Sequence, residues 1–408
     1  MAYGGRRILS ELASPRGRIH LMRSAAEGRI AWTGEVVRHL DLCLECRACE
    51  TACPSGVPYA KLLEAAREEI ARVHRRPWRE RLILRVLRDG LLPYPGRLRL
   101  ALLPLRLTGG LGRRAARLLS SDLGRMAGLV GELPRPARRY TLPAVVPAEG
   151  ERRYRVALLT GCVGSVLFAR VNWATAQVLA ANGCEVVIPP GQACCGALHL
   201  HSGALKEARA FARRNFEAFH PADFDAIITN AAGCGSTLKE YGELFRGETE
   251  AGVAEVFSGK AVDVSAFLSE AGLVAARRSV RWRVAYHDAC HLAHGQGVRS
   301  EPRKLLRAIP GLELLELEES EVCCGSAGLY NLLQPEMAER LLQRKVGHIL
   351  RTGAQAVATG NPGCLMQIAK GLRDRGIDLP VLHPVEILAV AYGKLEENEV
   401  AGRGGNAQ

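Results

Sequence analysis

Cysteines that could bind a metal recur as a unit in this chain of 408 residues. A Cys-Cys-Gly string occurs twice, and one cysteine precedes and one follows each copy. The two sets are Cys162, Cys194, Cys195 and Cys234, and then Cys290, Cys323, Cys324 and Cys364. The offsets between them are 128, 129, 129 and 130 residues, which indicates that one cysteine-bearing unit has been duplicated. Four thiolates in each unit match the ligand number of an iron–sulfur cluster.

A different arrangement stands near the amino terminus, where Cys43, Cys46, Cys49 and Cys53 are followed by Pro54. This C-x2-C-x2-C-x3-C-P run is typical of [4Fe–4S] binding. Zinc is the alternative, although zinc sites usually combine two separated Cys-x2-Cys pairs. In two-cluster ferredoxins the fourth cysteine of each run ligates the other cluster. With one run, the fourth ligand is left open, and Cys53 lacks its natural cluster.

The duplicated cysteines follow short apolar runs, separated by amphipathic helical stretches, that a buried parallel sheet would use. These predicted strands are 154–160, 184–189 and 225–230, then 283–287, 312–317 and 355–360. Ligands of open α/β sheets bind outside the carboxyl ends of the strands. Nearby glycines suit tight turns there; they are Gly161, Gly164, Gly196, Gly233, Gly325 and Gly363. The helices that follow would direct their positive ends at an anionic cluster. We therefore expect one metal site in each half.

Two other interpretations apply to the duplicated cysteines: packing in the core and a redox-active vicinal disulfide at Cys194 and Cys195. Recurrence at matching strand ends favours metal binding. Cys184 lies outside the repeat and is predicted to be a core residue. Five histidines lie near the cysteines, namely His199, His201, His287, His291 and His294. They could ligate metal, carry a proton or orient a cluster, and we expect hydrogen bonding near a cluster. His383, before Pro384, is expected to be structural.

Composition sets the class of protein. The apolar fraction of 48% is enough for ordinary cores. No run of about 18 uncharged apolar residues is present, and no apolar signal-peptide region follows the first arginines. These features predict a cytoplasmic protein, where clustered cysteines usually bind metal or do redox chemistry. No Gly-x-Gly-x-x-Gly follows a strand, so we expect the flavin or nicotinamide on a partner.

The net charge of +13 is concentrated in residues 75–140, which hold sixteen arginines and four acidic residues. Leucines alternate with these arginines after Leu91, a pattern that could contact an anionic membrane surface or an acidic protein. A solvated connector is the alternative. Nucleic-acid binding is not expected, because aromatic interleaving and a recognition motif are missing.

The strings CLECRACETACPSGVPY, SPRGRI, NAAGCGSTLKEY, YHDACHLAHGQ, VCCGSAGLYN and NPGC resemble the iron–sulfur subunit of glycolate oxidase (glycolate dehydrogenase). That resemblance implies FAD-containing partner subunits that oxidise glycolate to glyoxylate, and transfer of the electrons by this subunit to a membrane quinone. No catalytic residue is then expected on this chain. The implied [4Fe–4S] ligands are Cys43, Cys46, Cys49 and Cys53, with Cys162, Cys194, Cys195, Cys234, Cys290, Cys323, Cys324 and Cys364. Peripheral contact with the inner face of the cell membrane would follow.

The double-cysteine domain is shared with lactate-utilisation proteins, an anaerobic glycerol-3-phosphate dehydrogenase subunit and heterodisulfide reductase, which are the alternatives. Two departures matter. The family usually carries an earlier cysteine run just before SPRGRI, so we expect an assigned start that is too far downstream. Heterodisulfide reductase closes each unit with Cys-x-x-Cys, whereas here Thr237 and Gln367 stand at the second position. That difference favours simple electron transfer.

The expected architecture is α/β. A helical ferredoxin-like [4Fe–4S] domain is predicted over 1–90, and an Arg/Pro-rich connector with short helices over 91–150. Pro134, Pro136, Pro143 and Pro147 mark its end. Two Rossmann-like α/β cysteine-rich domains, as the resemblance implies, are predicted over 151–275 and 276–400.

Overall fold

The computed structural model describes residues 11–119, 121–130 and 138–401, and its amino-terminal part is helical. The first elements are a 3-10 turn (Glu11–Ala13), α1 (Pro15–Ala26), α2 (Gly34–Asp41), α3 (Ala48–Thr51) and α4 (Tyr59–Val73). The hydroxyls of Ser14 and Thr33 cap α1 and α2 by accepting from backbone N–H groups of the first turn. Leu40, Leu63 and Ile70 are fully buried where these helices meet. The helical expectation for residues 1–10 lies outside the described residues.

The segment expected to be a connector with short helices contains a long one, so that expectation was wrong. Before it come α5 (Trp78–Ile83) and a π-helix (Leu84–Leu91), and the segment itself contains α6 (Pro95–Leu119), α7 (Ser121–Val130) and a 3-10 turn (Arg138–Tyr140). Leu98 and Leu102, one turn apart on α6, are buried against Val166 of the first repeat. This apolar spacing outweighs the helix-breaking tendency of Pro104, which lies inside α6. Pro134 and Pro136 lie outside the described residues.

Two mainly parallel sheets follow, one in each repeat. The first contains β1 (Val145–Val146), β2 (Tyr154–Leu159), β3 (Cys184–Val187), β4 (Ala226–Thr229) and β5 (Ala261–Asp263). The second contains β6 (Arg283–Tyr286), β7 (Glu313–Leu315), β8 (Ala356–Ala358) and β9 (Val381–Leu382). Over the described residues the orders are β1-β3-β2-β4-β5 and β7-β6-β8-β9. All pairs are parallel except β1 with β3. The matching orders β3-β2-β4-β5 and β7-β6-β8-β9 confirm the duplication.

The predicted strands coincide with β2, β3 and β4 and with β6, β7 and β8, to within two residues at each end. The helices of the first repeat are α8 (Gly164–Leu167), α9 (Ala169–Ala181), α10 (Ala197–Leu200), α11 (Leu205–Phe219), α12 (Ala232–Lys239), α13 (Tyr241–Leu244), α14 (Ala251–Lys260) and α15 (Val264–Ala271), with a 3-10 turn (Pro221–Asp223). Those of the second are α16 (Cys290–Ala293), α17 (Ser300–Arg307), α18 (Tyr330–Leu333), α19 (Pro335–Arg351), α20 (Pro362–Asp374), α21 (Pro384–Ala391) and α22 (Glu397–Val400).

One hydrophobic core is shared by the two repeats. Leu158 and Val178 of the first repeat belong to the same buried cluster as Tyr286 and Leu388 of the second. Helix α9 packs against α21, and α15 against α17. The two sheets therefore enclose a common layer of helices, which holds the cysteine-bearing edges in a fixed relation. No helix in the described part of the chain is long and apolar enough to cross a bilayer.

Candidate metal centres

In the first repeat, the four cysteines come from three successive strand–helix junctions. Cys162 follows β2, Cys194 and Cys195 lie between β3 and α10, and Cys234 stands in the first turn of α12. The Cys162 and Cys194 Sγ atoms are 3.6 Å apart, and Cys195 contacts both Cys194 and Cys234. Because the strands are parallel, their carboxyl ends meet at one edge and bring the four thiols together, as the sequence predicts.

The second repeat reproduces this arrangement. Cys290 begins α16, Cys323 and Cys324 follow β7, and Cys364 lies in the first turn of α20. Cys290 contacts Cys323, and Cys324 contacts Cys364. Hydrogen bonding between neighbouring thiols, together with burial, raises the pKa of Cys162 and of Cys290 well above the ordinary range. Metal binding at either set must therefore displace protons.

Glycines shape the Cys-Cys turn in both repeats. Gly196 has φ of 82° and Gly325 has φ of 87°, a conformation that side chains disfavour. A Cβ at Gly325 would lie 2.5 Å from the carbonyl oxygen of Ala338, and one at Gly196 would lie 3.2 Å from Ala208 Cα. The turn thus lies close against a later helix of its repeat, α11 in the first and α19 in the second, and this contact together with the positive φ favours glycine.

In the amino-terminal run, Cys43, Cys46 and Cys49 lie close enough to affect one another's pKa, whereas Cys53 stands apart. Glu45 and Arg47 adopt left-handed conformations, with φ of 53° and 62°, and bend the loop that carries these cysteines. Burial, assisted by the neighbouring Cys43 and Cys46, raises the pKa of Cys49 to about 11. The pKa of Cys53 is lowered instead, by hydrogen bonds from the backbone N–H groups of Val57 and Ser55.

The amino-terminal run lies beside the second repeat. Burial, and then the proximity of Cys290, raises the pKa of Cys46 to about 12, and Cys323 is influenced by Cys46 in turn. The Tyr330 hydroxyl donates to the carbonyl oxygen of Leu42 at 3.2 Å. Any cluster held by Cys43, Cys46 and Cys49 would therefore neighbour the thiols of the second repeat.

A cavity of about 700 Å³ separates the two repeat sets. Its lining includes all eight repeat cysteines and Cys43. The remaining wall is largely apolar and includes Leu87 of the π-helix, Leu98 and Leu102 of α6, and Met126 of α7. The helical segment between the amino-terminal part and the repeats thus closes this space on one side.

Charged residues, of which only His201 was singled out from the sequence, join the amino-terminal part to the first repeat. Arg67 pairs with Glu45 and donates to the Cys43 carbonyl oxygen at 3.0 Å. His201 Nδ1 lies 2.8 Å from Glu45 and 3.0 Å from Glu64. Burial opposes ionisation of Glu45, but the charges of His201 and Arg67 outweigh it and lower its pKa to about 2. Burial raises the pKa of Glu64 to about 7. No spacing in the sequence links these residues.

The histidines near the cysteines differ in their contacts. His291 Nδ1 lies 3.5 Å from Cys290 Sγ, as expected of a hydrogen-bonding neighbour. A ring nitrogen of His287 lies within 4.8 Å of the Cys324 and Cys364 sulfurs, a distance that metal ligation would use. His294 Nδ1 instead lies 3.0 Å from the Thr51 hydroxyl.

Three other predictions concern residues away from the thiol clusters. His199 Nε2 lies 3.2 Å from Asp89 rather than beside a cysteine. Cys184 is fully buried in β3 and belongs to the shared core, which confirms the core prediction. His383 caps α21 by accepting from the Val385 N–H at 3.2 Å, which confirms its structural role.

Known proteins are similar to this chain in sequence. The CCG cysteine-rich domain family matches residues 156–239 and 284–369. The chain is 38% identical to a probable glycolate oxidase iron–sulfur subunit of Bacillus subtilis, over 94% of this chain and 89% of that protein. It is 34% identical to the glycolate oxidase iron–sulfur subunit of Escherichia coli, over the same shares. Lactate utilization protein A of Oceanobacillus iheyensis is 32% identical over 57% of this chain and 96% of that protein.

Proposed function

Because this chain belongs to the family of glycolate oxidase iron–sulfur subunits, we propose that it carries electrons within a flavin-dependent glycolate dehydrogenase. FAD-containing partner subunits oxidise glycolate to glyoxylate, and this subunit passes their electrons to a quinone-type acceptor. The observation that carries the proposal is the pair of four-cysteine sets facing one cavity. Thiols in such numbers, at the ends of parallel strands, suit cofactors that exchange electrons.

The cofactors we propose are [4Fe–4S] clusters, which exchange single electrons when bound. The residues that would hold them are Cys162, Cys194, Cys195 and Cys234, Cys290, Cys323, Cys324 and Cys364, and Cys43, Cys46, Cys49 and Cys53. The donor sets fit this group because the repeat thiols are mutually in contact and largely withdrawn from solvent. The apolar wall of the cavity limits water at the thiols, and the helix N-termini at Cys234 and Cys364 favour negative charge there. The α/β repeats and a ferredoxin-like amino-terminal domain form the proposed domain arrangement.

The first test is the iron and acid-labile sulfide content of anaerobically purified protein, with EPR of the reduced form. We expect about eight to twelve irons per chain, as two or three four-iron clusters require. Cys195→Ala should lower the iron content, whereas Cys184→Ala should leave it unchanged, since Cys184 lies in the core away from both sets. Zinc in place of iron and sulfide would contradict the proposal and support a purely structural metal role.

The substrate is tested through the partner. Co-expression with the flavin-bearing subunits should yield a complex in which glycolate, added anaerobically, produces the EPR signals of the reduced clusters. The similarity to lactate utilization protein A makes lactate the second candidate. Reduction by lactate and not by glycolate, in a complex with a lactate-oxidising flavoprotein, would replace the first assignment with the second.

We also propose that residues 78–107 contact the cytoplasmic face of an anionic membrane, where a quinone would be reached. Large apolar side chains are exposed at helical spacing on this segment: Trp78, Leu82 and Val86, then Leu100, Leu103 and Leu107. Arginines such as Arg97 and Arg99 accompany them. An apolar face next to positive charge is the composition of helices that lie in the membrane interface.

A further inference from the structure

The two cysteine sets have matching sulfurs and different neighbours. The offset of 128 residues that relates Cys162 to Cys290 also relates Leu159, at the end of β2, to His287, just after β6. The offset of 130 residues that relates Cys234 to Cys364 relates Asn215 of α11 to Lys345 of α19. The second repeat therefore places a ring nitrogen and a cation where the first has an alkyl group and an amide.

The hydrogen bond of His287 fixes which of its nitrogens is free. His287 is fully buried, and its Nδ1 lies 2.9 Å from the carbonyl oxygen of Ser320. A carbonyl oxygen only accepts, so Nδ1 must carry the proton and donate. In the neutral ring, Nε2 then has a bare lone pair, and Nε2 has no hydrogen-bond partner. An unpartnered acceptor in a buried site costs free energy unless something occupies its lone pair.

The side chains next to His287 indicate that a metal ion could bind this lone pair. One ring nitrogen and the sulfurs of Cys324 and Cys364 lie within 4.8 Å of one another. Since Nδ1 is engaged by Ser320, the nitrogen available beside these sulfurs is Nε2. Imidazole nitrogen is a normal ligand of iron, and a backbone carbonyl on the opposite nitrogen is the usual device for orienting a ligating histidine.

Lys345 adds positive charge at the same place. It is buried, and its Nζ donates to the carbonyl oxygens of Glu319 and Ser320, the latter at 3.3 Å. Burial lowers the pKa of Lys345, and the nearby Cys324, Cys323 and Cys364 oppose that shift. The matched residue of the first repeat, Asn215, is neutral and donates to the Cys194 carbonyl oxygen at 3.1 Å. A cation beside thiolates favours added negative charge.

We propose that His287 Nε2 is a nitrogen ligand of the metal centre in the second repeat, in place of one of the four cysteine sulfurs, whereas the centre in the first repeat has sulfur ligands alone. The inference rests on the proposed function only in taking the repeats to hold iron–sulfur centres. Replacement of sulfur by imidazole raises the reduction potential of such a centre, and Lys345 acts in the same direction. The second repeat is therefore the stronger electron acceptor of the two.

The test is pulsed EPR of the dithionite-reduced full chain, prepared with ¹⁵N-labelled histidine so that ligand nitrogen is identified by isotope. Wild-type protein should show a strong histidine nitrogen coupling. His287→Leu, which installs the residue of the first repeat, should abolish that coupling. His291→Leu is the matched control: its nitrogen lies 3.5 Å from the Cys290 sulfur, so its loss should leave the strong coupling in place.

A reductive titration followed by EPR measures the reduction potentials of the centres and is a second test that does not depend on activity. His287→Leu should move the more positive of the repeat signals to lower potential, and Leu159→Met in the first repeat should leave that signal where it is. If His287→Leu does not fold, the labelled wild-type protein still decides the matter. Iron–sulfur signals without strong histidine coupling would overturn the ligand while leaving the electron-carrier function intact. Protein that binds no iron would overturn both.

Discussion

The buried charges next to the cysteines are paired one with another. Asp288, two residues before Cys290, is 1% exposed and accepts two hydrogen bonds from Arg303, each of 2.7 Å. A guanidinium group matches a carboxylate in this two-bonded geometry. The free energy of the pair therefore depends on both partners being present, because either one alone would leave a charge without compensation.

Arg303→Leu should lower the free energy of unfolding by about 3–5 kcal/mol, since it leaves the Asp288 carboxylate buried without its partner. Urea unfolding measures this. Arg307→Leu is the control on the same helix, because Arg307 is 58% exposed and pairs with the exposed Glu316. Its cost should stay below about 1 kcal/mol. Equal losses in the two variants would contradict the account.

The pair Glu64 and His201 predicts a pH dependence of stability. Burial raises the folded-state pKa of Glu64 from 4.5 to about 7, so the folded chain retains a proton that the unfolded chain releases. That contribution is complete below the unfolded pKa and is lost as pH rises through about 7. The charged groups that act on the pKa of Glu64 are His201, Glu45 and Glu240.

Glu64→Gln stays neutral at every pH, so its stability should fall less than that of the wild type between about pH 5 and about pH 8. The expected difference in that fall is on the order of 2 kcal/mol. Unfolding by urea at each pH measures it. Glu35→Gln, at an exposed carboxylate, should reproduce the wild-type curve. A Glu64→Gln curve that runs parallel to the wild type would reject the assignment.

Among the elements, α6 has two apolar faces with different surroundings. Leu98 and Leu102 line the cavity, whereas Leu100 and Leu107 are 71% and 77% exposed. A helix of a globular protein normally presents polar residues to water on its outer face. The second face is therefore the one to test for membrane contact.

Replacing Leu100, Leu103 and Leu107 together by Asp should reduce binding to anionic lipid vesicles by at least about tenfold, because each buried leucine contributes about 1.5–3 kcal/mol. Co-sedimentation measures the bound fraction, which should also fall with added salt. Val256, Val274 and Leu350 are exposed apolar residues elsewhere, and their replacement by Asp is the control. Unchanged binding of the first variant would defeat the membrane proposal.

The repeated elements could be predicted from the sequence because the cysteines and the apolar runs are local and recur. The six predicted strands are all present. Strands β1, β5 and β9 were missed, since two or three residues carry too little pattern for a period to be read. Strands β7 and β8 are as short, but they lie within apolar runs of six residues that the sequence shows. Helix α6 was missed because proline, glycine and arginine dominate its composition, while tertiary burial of Leu98 and Leu102 decides its conformation.

The arrangement of the whole molecule was less predictable, because it depends on contacts between residues far apart in sequence. Nothing local in the sequence relates Cys46 to Cys290, or Arg67 to His201. The two cysteine sets match, but the residues around them differ. This difference is seen only when His287 is aligned with Leu159 and Lys345 with Asn215. Sequence reasoning grouped His287 with the other histidines, and only the structure places its ring nitrogen beside the sulfurs of Cys324 and Cys364.

The shared core predicts that the two repeats unfold together. Trp173 lies in α9 of the first repeat, and Trp282 precedes β6 of the second. Variants that retain only one of these tryptophans, with the others replaced by Phe, report on one repeat each. Their fluorescence transitions in urea should coincide, as expected of a single cooperative unit. Midpoints that separate clearly would show two independent domains.

The cavity of about 700 Å³ has one further consequence, because it is a single space bordered by both repeat sets of thiols. Small apolar molecules enter apolar cavities readily, and dioxygen is such a molecule. Dioxygen that enters this cavity can reach the thiols of both repeats, so we expect the two repeat centres to be equally accessible to it. We expect their EPR signals to decay at a common rate when reduced protein is aerated, and a long-lived survivor would show that the space is divided.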